Sequence, residues 1–159
     1  MKTKLVLFAV VTLFACSVST GSALADLKEG IRDRLLAAAE GLQMPSSESD
    51  SFWYPVSYAG VEELPEAGQF EAISGCRDGG ATRQDFSETL DRLGNIEPWM
   101  DAGQIDSARG FRKLEKVFYR EFEEVAVYRC DTGGPEIEVY FVGTEEDRLV
   151  GLTTISIET

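Results

Sequence analysis

The chain contains no histidine in its 159 residues. That absence removes the usual general base, the usual activator of a nucleophile and the commonest metal ligand together. Serine and cysteine triads are excluded in their ordinary form. A phosphate-cradling loop is missing too, because Gly79-Gly80 and Gly133-Gly134 stand in turn contexts and fit neither a P-loop nor a dinucleotide fingerprint. Glu48-Ser49-Asp50 and Glu145-Glu146-Asp147 lack the alternating ligands of a calcium loop and read as exposed acidic turns. The expectation is therefore a non-enzyme with no cofactor and no metal site of its own. Hydrolysis by paired carboxylates is the one enzyme class left open, since that pairing is spatial and does not show in a sequence.

Basic residues are scarce: 15 lysines and arginines face 28 acids, giving a formal charge of −13. Such a charge repels nucleic acid and anionic membranes, and it speeds encounter with partners that present cations. Direct nucleic-acid binding is thus not expected. The same acidity also keeps an exported protein soluble, so charge alone does not decide between the two roles.

Long apolar runs are absent as well. The longest, Leu5 to Ala15, is too short to span a bilayer, but it follows Lys2 and Lys4 and leads through a polar stretch to Ala23-Leu24-Ala25. Residues 1–25 read as an export signal and 26–159 as a single domain, periplasmic or secreted; losing Lys2 and Lys4 takes the formal charge from −13 to −15. Leu13-Phe14-Ala15-Cys16 offers a competing route, in which Cys16 is acylated and the protein is a lipoprotein on a membrane. In either case Cys76 and Cys130 remain as an even pair in an oxidising compartment, which reads as one disulfide. Closing a loop of roughly 50 residues adds on the order of 3 to 4 kcal/mol in the chain-entropy model. Redox catalysis is not indicated without a Cys-x-x-Cys or a low-pKa thiolate site.

Apolar positions Leu27, Ile31, Leu35, Ala38 and Leu42 recur at helical spacing. Gln43 to Ser51, with Pro45 and four serines, is a loop. Phe52 to Ala59 and Phe70 to Cys76 read as short strands. A capped helix is expected from Thr82 to Leu93, and a second from about Gln104 to Phe122 with Phe111, Leu114, Val117, Phe118 and Phe122 inward. Its outer stripe of Arg109, Arg112, Lys113, Lys116 and Arg120 reads as a solvated face paired with neighbouring carboxylates. Glu124 to Cys130, Glu136 to Gly143 and Leu149 to Glu158 form a meander, in which Ile137, Val139 and Phe141 share one face and Glu138, Tyr140 and Val142 the other. The pattern predicts an α+β fold with an antiparallel sheet covered by helices. Its last strand runs to Glu158-Thr159, so the terminal carboxylate is held better than on a frayed tail.

Phe111-Arg-Lys-Leu114, Val127-Tyr-Arg129, Glu138-Val-Tyr140 with Val142-Gly143, Leu149-Val-Gly-Leu-Thr-Thr154 and the terminal Glu158-Thr159, together with Ser47-Glu-Ser49 and Tyr54-Pro55 upstream, resemble the bacterial nuclease A inhibitor family from about Leu35 to Thr159. The resemblance implies an α/β/α sandwich with a central, mainly antiparallel sheet. It also implies a protein partner, a metal-dependent endonuclease that cuts DNA and RNA alike. In that reading Glu48 and the α-carboxylate of Thr159 reach the partner's catalytic metal, with Trp99 and Glu158 alongside. Trp99 has a second reading, as packing over the sheet edge.

The chain departs from the family pattern in places. Pro98 stands where that pattern has an acid before the tryptophan, and the stretch between Glu48 and Tyr54 is longer. These departures, with the export signal and the cysteine pair, leave open a partner different from the family's usual nuclease. They also leave open an envelope protein-interaction or ligand-binding module that keeps the fold without inhibiting.

Overall fold

The computed structural model describes residues 20–45, 52–76 and 80–157, with side chains from Gly30 onward. Four helices and five strands follow in the order α1 (Thr20–Ala39), β1 (Tyr54–Ala59), α2 (Ala67–Ser74), β2 (Ala81–Gln84), α3 (Phe86–Leu93), α4 (Ala102–Glu121), β3 (Val125–Asp131), β4 (Glu136–Glu145) and β5 (Arg148–Ile157). The strands make one sheet in the order β1-β5-β4-β3-β2. Every neighbouring pair is antiparallel.

The two-residue alternation of β4 splits the core into two layers, as expected. Val139 and Phe141 join Val127, Val150 and Leu152 under Leu35, Leu90, Phe111, Leu114 and Phe118 from helices α1, α3 and α4. Tyr140 and Val142 face the other way, onto a smaller cluster centred on Phe70 of α2. Phe70 lies flat on Tyr128, ring centroids 4.0 Å apart at 7°, and the Tyr128 hydroxyl donates to the carbonyl of Pro65. Helices thus cover both faces of the sheet, in an α+β sandwich. A disulfide joins Cys76, just after α2, to the fully buried Cys130 of β3, with Cα atoms 5.6 Å apart.

Two elements differ from the sequence expectation. Phe70 to Cys76 is not a strand but most of α2. Gln69 Oε1 accepts from the Glu66 amide at 2.9 Å at its start, and Gly75 closes it in the left-handed region at φ 74°. The spacing of Phe70 and Ile73 is helical, and the β-rich composition of so short a run masked it. Thr82 does not cap a helix. It lies in β2 opposite Arg129, and Asp85 is the cap, accepting from the Glu88 amide at 2.8 Å. The operative signal is Asp85-x-x-Glu88, three residues further on.

α4 begins two residues earlier than expected because Asp101 and Gln104 close a reciprocal box, Gln104 N to Asp101 Oδ1 at 2.8 Å and Asp101 N to Gln104 Oε1 at 3.0 Å. α1 begins at Thr20, ahead of the expected mature start at Asp26. The strand register also sets which loops meet. β1 starts where β5 is ending, Tyr54 opposite Thr153. α4 feeds β3 at the far end of the sheet, so its start, and the loop before it, return to the end where β5 finishes.

Candidate functional site

The residues around the end of β5 are held from three sides. First, the segment after α1 is tied to α4. Gly110 leaves room for Leu42, whose Cδ2 lies 2.1 Å from where a Cβ would stand, and the Gln43 amide donates to Ser107 Oγ at 3.3 Å. Second, Trp53 closes the loop that follows. Its Nε1 donates to the Leu42 carbonyl at 3.0 Å, while its ring packs 5.4 Å from Phe141 and edge-on to Phe111 at 6.2 Å. Glu48 belongs to this loop and lies outside the described residues.

Third, the α3–α4 connection folds against the start of the same loop. Met44, Pro45, Leu93, Trp99, Met100 and Phe111 line a cleft of about 430 Å³. Trp99 is 72% exposed, so it is not buried packing over the sheet edge, the second reading weighed for it above. Its backbone sits in a turn in which the Met100 amide donates to the Glu97 carbonyl at 3.1 Å, immediately before the Asp101 cap. A hydrogen-bonded turn next to a capped helix thus carries an exposed indole.

β5 stays paired with β4 through Ile157, which lies opposite Glu136. Glu158 and Thr159 lie outside the described residues; the strand that leads to them is paired to its last described position. On the helix-covered face Thr154 is 1% and Ser156 3% exposed. Thr154 Oγ1 has no hydrogen-bond partner among the described residues.

The basic stripe of α4 is largely spent on neighbours. Arg112 pairs with Asp91 and with Glu115 at 3.5 Å, Arg109 with Asp106 at 3.4 Å, and Arg120 with Glu121 at 2.8 Å. Arg34 spans from α1 to the same Glu121 at 2.6 Å. Those hydrogen bonds, Arg34's first, hold the Glu121 carboxyl below its ordinary range. The three arginines of the stripe are thus paired with neighbouring carboxylates, as the sequence suggested. Among the described residues no group of three histidines, cysteines, aspartates or glutamates is arranged to hold a metal, and no helix is long and apolar enough to cross a membrane.

The family described as nuclease A inhibitor-like protein matches residues 29–159. The chain belongs to that family. No curated protein matches it. As a member of the nuclease A inhibitor-like family it is placed among proteins whose partner is another protein, and the match begins close to the Leu35 at which the sequence resemblance starts. Trp53 and Gly110 were not singled out from the sequence. Trp53 sat in a run that reads as strand, and the partners that give both residues their roles are distant in the chain.

Proposed function

We propose that the chain inhibits a metal-dependent, sugar-non-specific endonuclease by offering carboxylates to the metal in its active site. Glu48 and the α-carboxylate of Thr159 are the proposed ligands, Trp99 the aromatic contact, and Glu158 a flanking acid. Such a nuclease must present cations and a divalent metal to a phosphodiester, so its cleft favours a stiff array of oxygen anions. Holding the anions on a folded frame avoids much of the ordering cost that a flexible anion would meet. A formal charge of −13 raises the encounter rate at low salt.

The observation that carries the reading is the register Tyr54↔Thr153 together with the cleft shared by Pro45 and Trp99. These described neighbours bring the base of the Glu48 loop, Trp99 and the outgoing β5 strand to one end of the sheet. That arrangement supports a single composite surface. Export, and cleavage after Ala25 or acylation at Cys16, are part of the same proposal; the Cys76–Cys130 disulfide is compatible with an oxidising compartment.

The test is inhibition of a magnesium-dependent non-specific nuclease by the purified protein. Slowed hydrolysis of both DNA and RNA, relieved by added salt, is expected. No inhibition of any such nuclease from the same source at micromolar protein rejects the reading in favour of a non-inhibitory binding module.

A further inference from the structure

α2 covers only part of its face of the sheet. It packs over β2 and β3, and Phe70 reaches Tyr58 of β1 and Leu149 of β5; among the described residues the start of β1 and the end of β5 are left exposed, Tyr54 at 57% and Ile155 at 39%. The register lays the residues of this face out in rows. Thr153 stands between Tyr54 of β1 and Tyr140 of β4. In the next row Ile155 stands beside Glu138. The Tyr140 hydroxyl donates to Glu138 Oε2 at 2.8 Å, which fixes the carboxylate against the sheet. Tyr58 completes the group: burial first, and then the Glu138 charge, push its phenol above its ordinary range. The arrangement is one oriented carboxylate beside Tyr140 and Tyr58, with the exposed Tyr54 and Ile155 in neighbouring positions of the sheet. No lysine or arginine pairs with Glu138 among the described residues.

We propose that this face is a second binding site, one that takes a guanidinium or ammonium side chain from a basic segment of a partner protein. Glu138 supplies the charge. The Tyr54 ring offers a face to the cation, and Ile155 offers apolar surface to the methylene stem, which cationic side chains bury readily. Charge selects the occupant: an anionic partner would meet Glu138 and a molecule of formal charge −13. The site lies on the α2 face rather than at the Trp99 cleft; it shares Tyr54 and the end of β5 with the surface proposed above, and binding of a free arginine compound is read without any nuclease.

The probe is N-acetyl-arginine amide, titrated into the isotopically labelled protein and followed by amide NMR shifts, with the neutral N-acetyl-citrulline amide as control. Saturable shifts at Tyr54, Glu138, Tyr140, Thr153 and Ile155 are expected with the arginine compound alone. Glu138→Gln should weaken the apparent affinity about fivefold or more, equivalent to about 1 kcal/mol. Tyr54→Ala, at an exposed position, should weaken it without unfolding the protein, which keeps the test decisive if the Glu138 variant folds poorly. Shifts that never saturate, spread over acidic residues generally and survive both substitutions overturn the proposal.

Discussion

Trp53 donates its indole proton to the carbonyl of Leu42, eleven residues earlier, at 3.0 Å. One hydrogen bond thus joins the two ends of the loop that carries Glu48. If a carboxylate is to meet a metal without first being ordered, the base of its loop must already be closed. Trp53→Phe keeps much of the ring packing on Phe141 and Phe111 but leaves the Leu42 carbonyl without its donor. It should lower unfolding stability by about 1 kcal/mol. Inhibition should fall by more than that stability loss implies, as read by comparing thermal unfolding with the inhibition constant at a temperature where the variant is fully folded.

Glu48→Gln removes a charge and almost no volume, and deletion of Thr159 moves the terminal carboxylate back by one residue. Each should weaken nuclease inhibition about tenfold or more, or at least about 1.4 kcal/mol of binding energy, mainly through faster dissociation. Glu146→Gln, in the β4–β5 turn at the opposite end of the sheet, should change the association rate slightly and leave dissociation unaltered. Equal effects of Glu48→Gln and Glu146→Gln would mean that bulk charge, not a placed ligand, does the work.

The meander was legible because β3, β4 and β5 are β-rich runs separated by clear turn residues, and α4 because Phe111, Leu114 and Phe118 repeat at helical spacing before a clear stop. α2 was not, since its eight residues are too few to separate a helical from a strand period, and its cap is a glutamate with a glutamine rather than serine or threonine. The site divides in the same way. Trp99 came from the family resemblance and not from any local pattern around it. The partnerships Trp53–Leu42 and Gly110–Leu42 join residues with no local signature, so only the packed structure reveals them.

Reducing the Cys76–Cys130 bond should cost about 3 to 4 kcal/mol, because the link restricts a long loop in the unfolded chain. Paired thermal unfolding with and without dithiothreitol checks this, and the double Cys→Ser variant should resemble the reduced protein. The α2 layer should loosen first, seen as faster amide exchange at Phe70 and Tyr128, since the bond ties the end of α2 to the fully buried Cys130. Inhibition should be affected less than stability, because that layer lies on the other face from the Trp99 cleft.

Alkaline stability should depend on Tyr128. Burial, first of all, pushes its phenol from the ordinary 10.0 up to about 12, with Arg83 opposing and Glu66 adding to the shift. A raised value in the folded state means that the fold favours the neutral phenol. Its contribution is complete below pH 10 and is lost as pH climbs towards 12. Tyr128→Phe gives up the hydrogen bond to Pro65, so it should be less stable at pH 7 and should lose stability less steeply between pH 10 and 12. Urea unfolding at both pH values measures the difference.

Gly110 sets two effects against each other. Alanine is the better helix former by about 1 kcal/mol, and α4 is a long helix in which that gain applies. The new methyl, however, would stand 2.1 Å from Leu42 Cδ2 and 3.4 Å from its Cγ, so Leu42 must move, and overpacking of this kind costs about 1 to 3 kcal/mol. The clash should win, leaving Gly110→Ala less stable by up to about 2 kcal/mol. Leu42 also provides the carbonyl that holds Trp53, so displacing it should loosen the Glu48 loop. Gly110→Ala combined with Leu42→Ala relieves the collision, and if the two effects share this origin the pair should be less destabilised than the sum of the single variants.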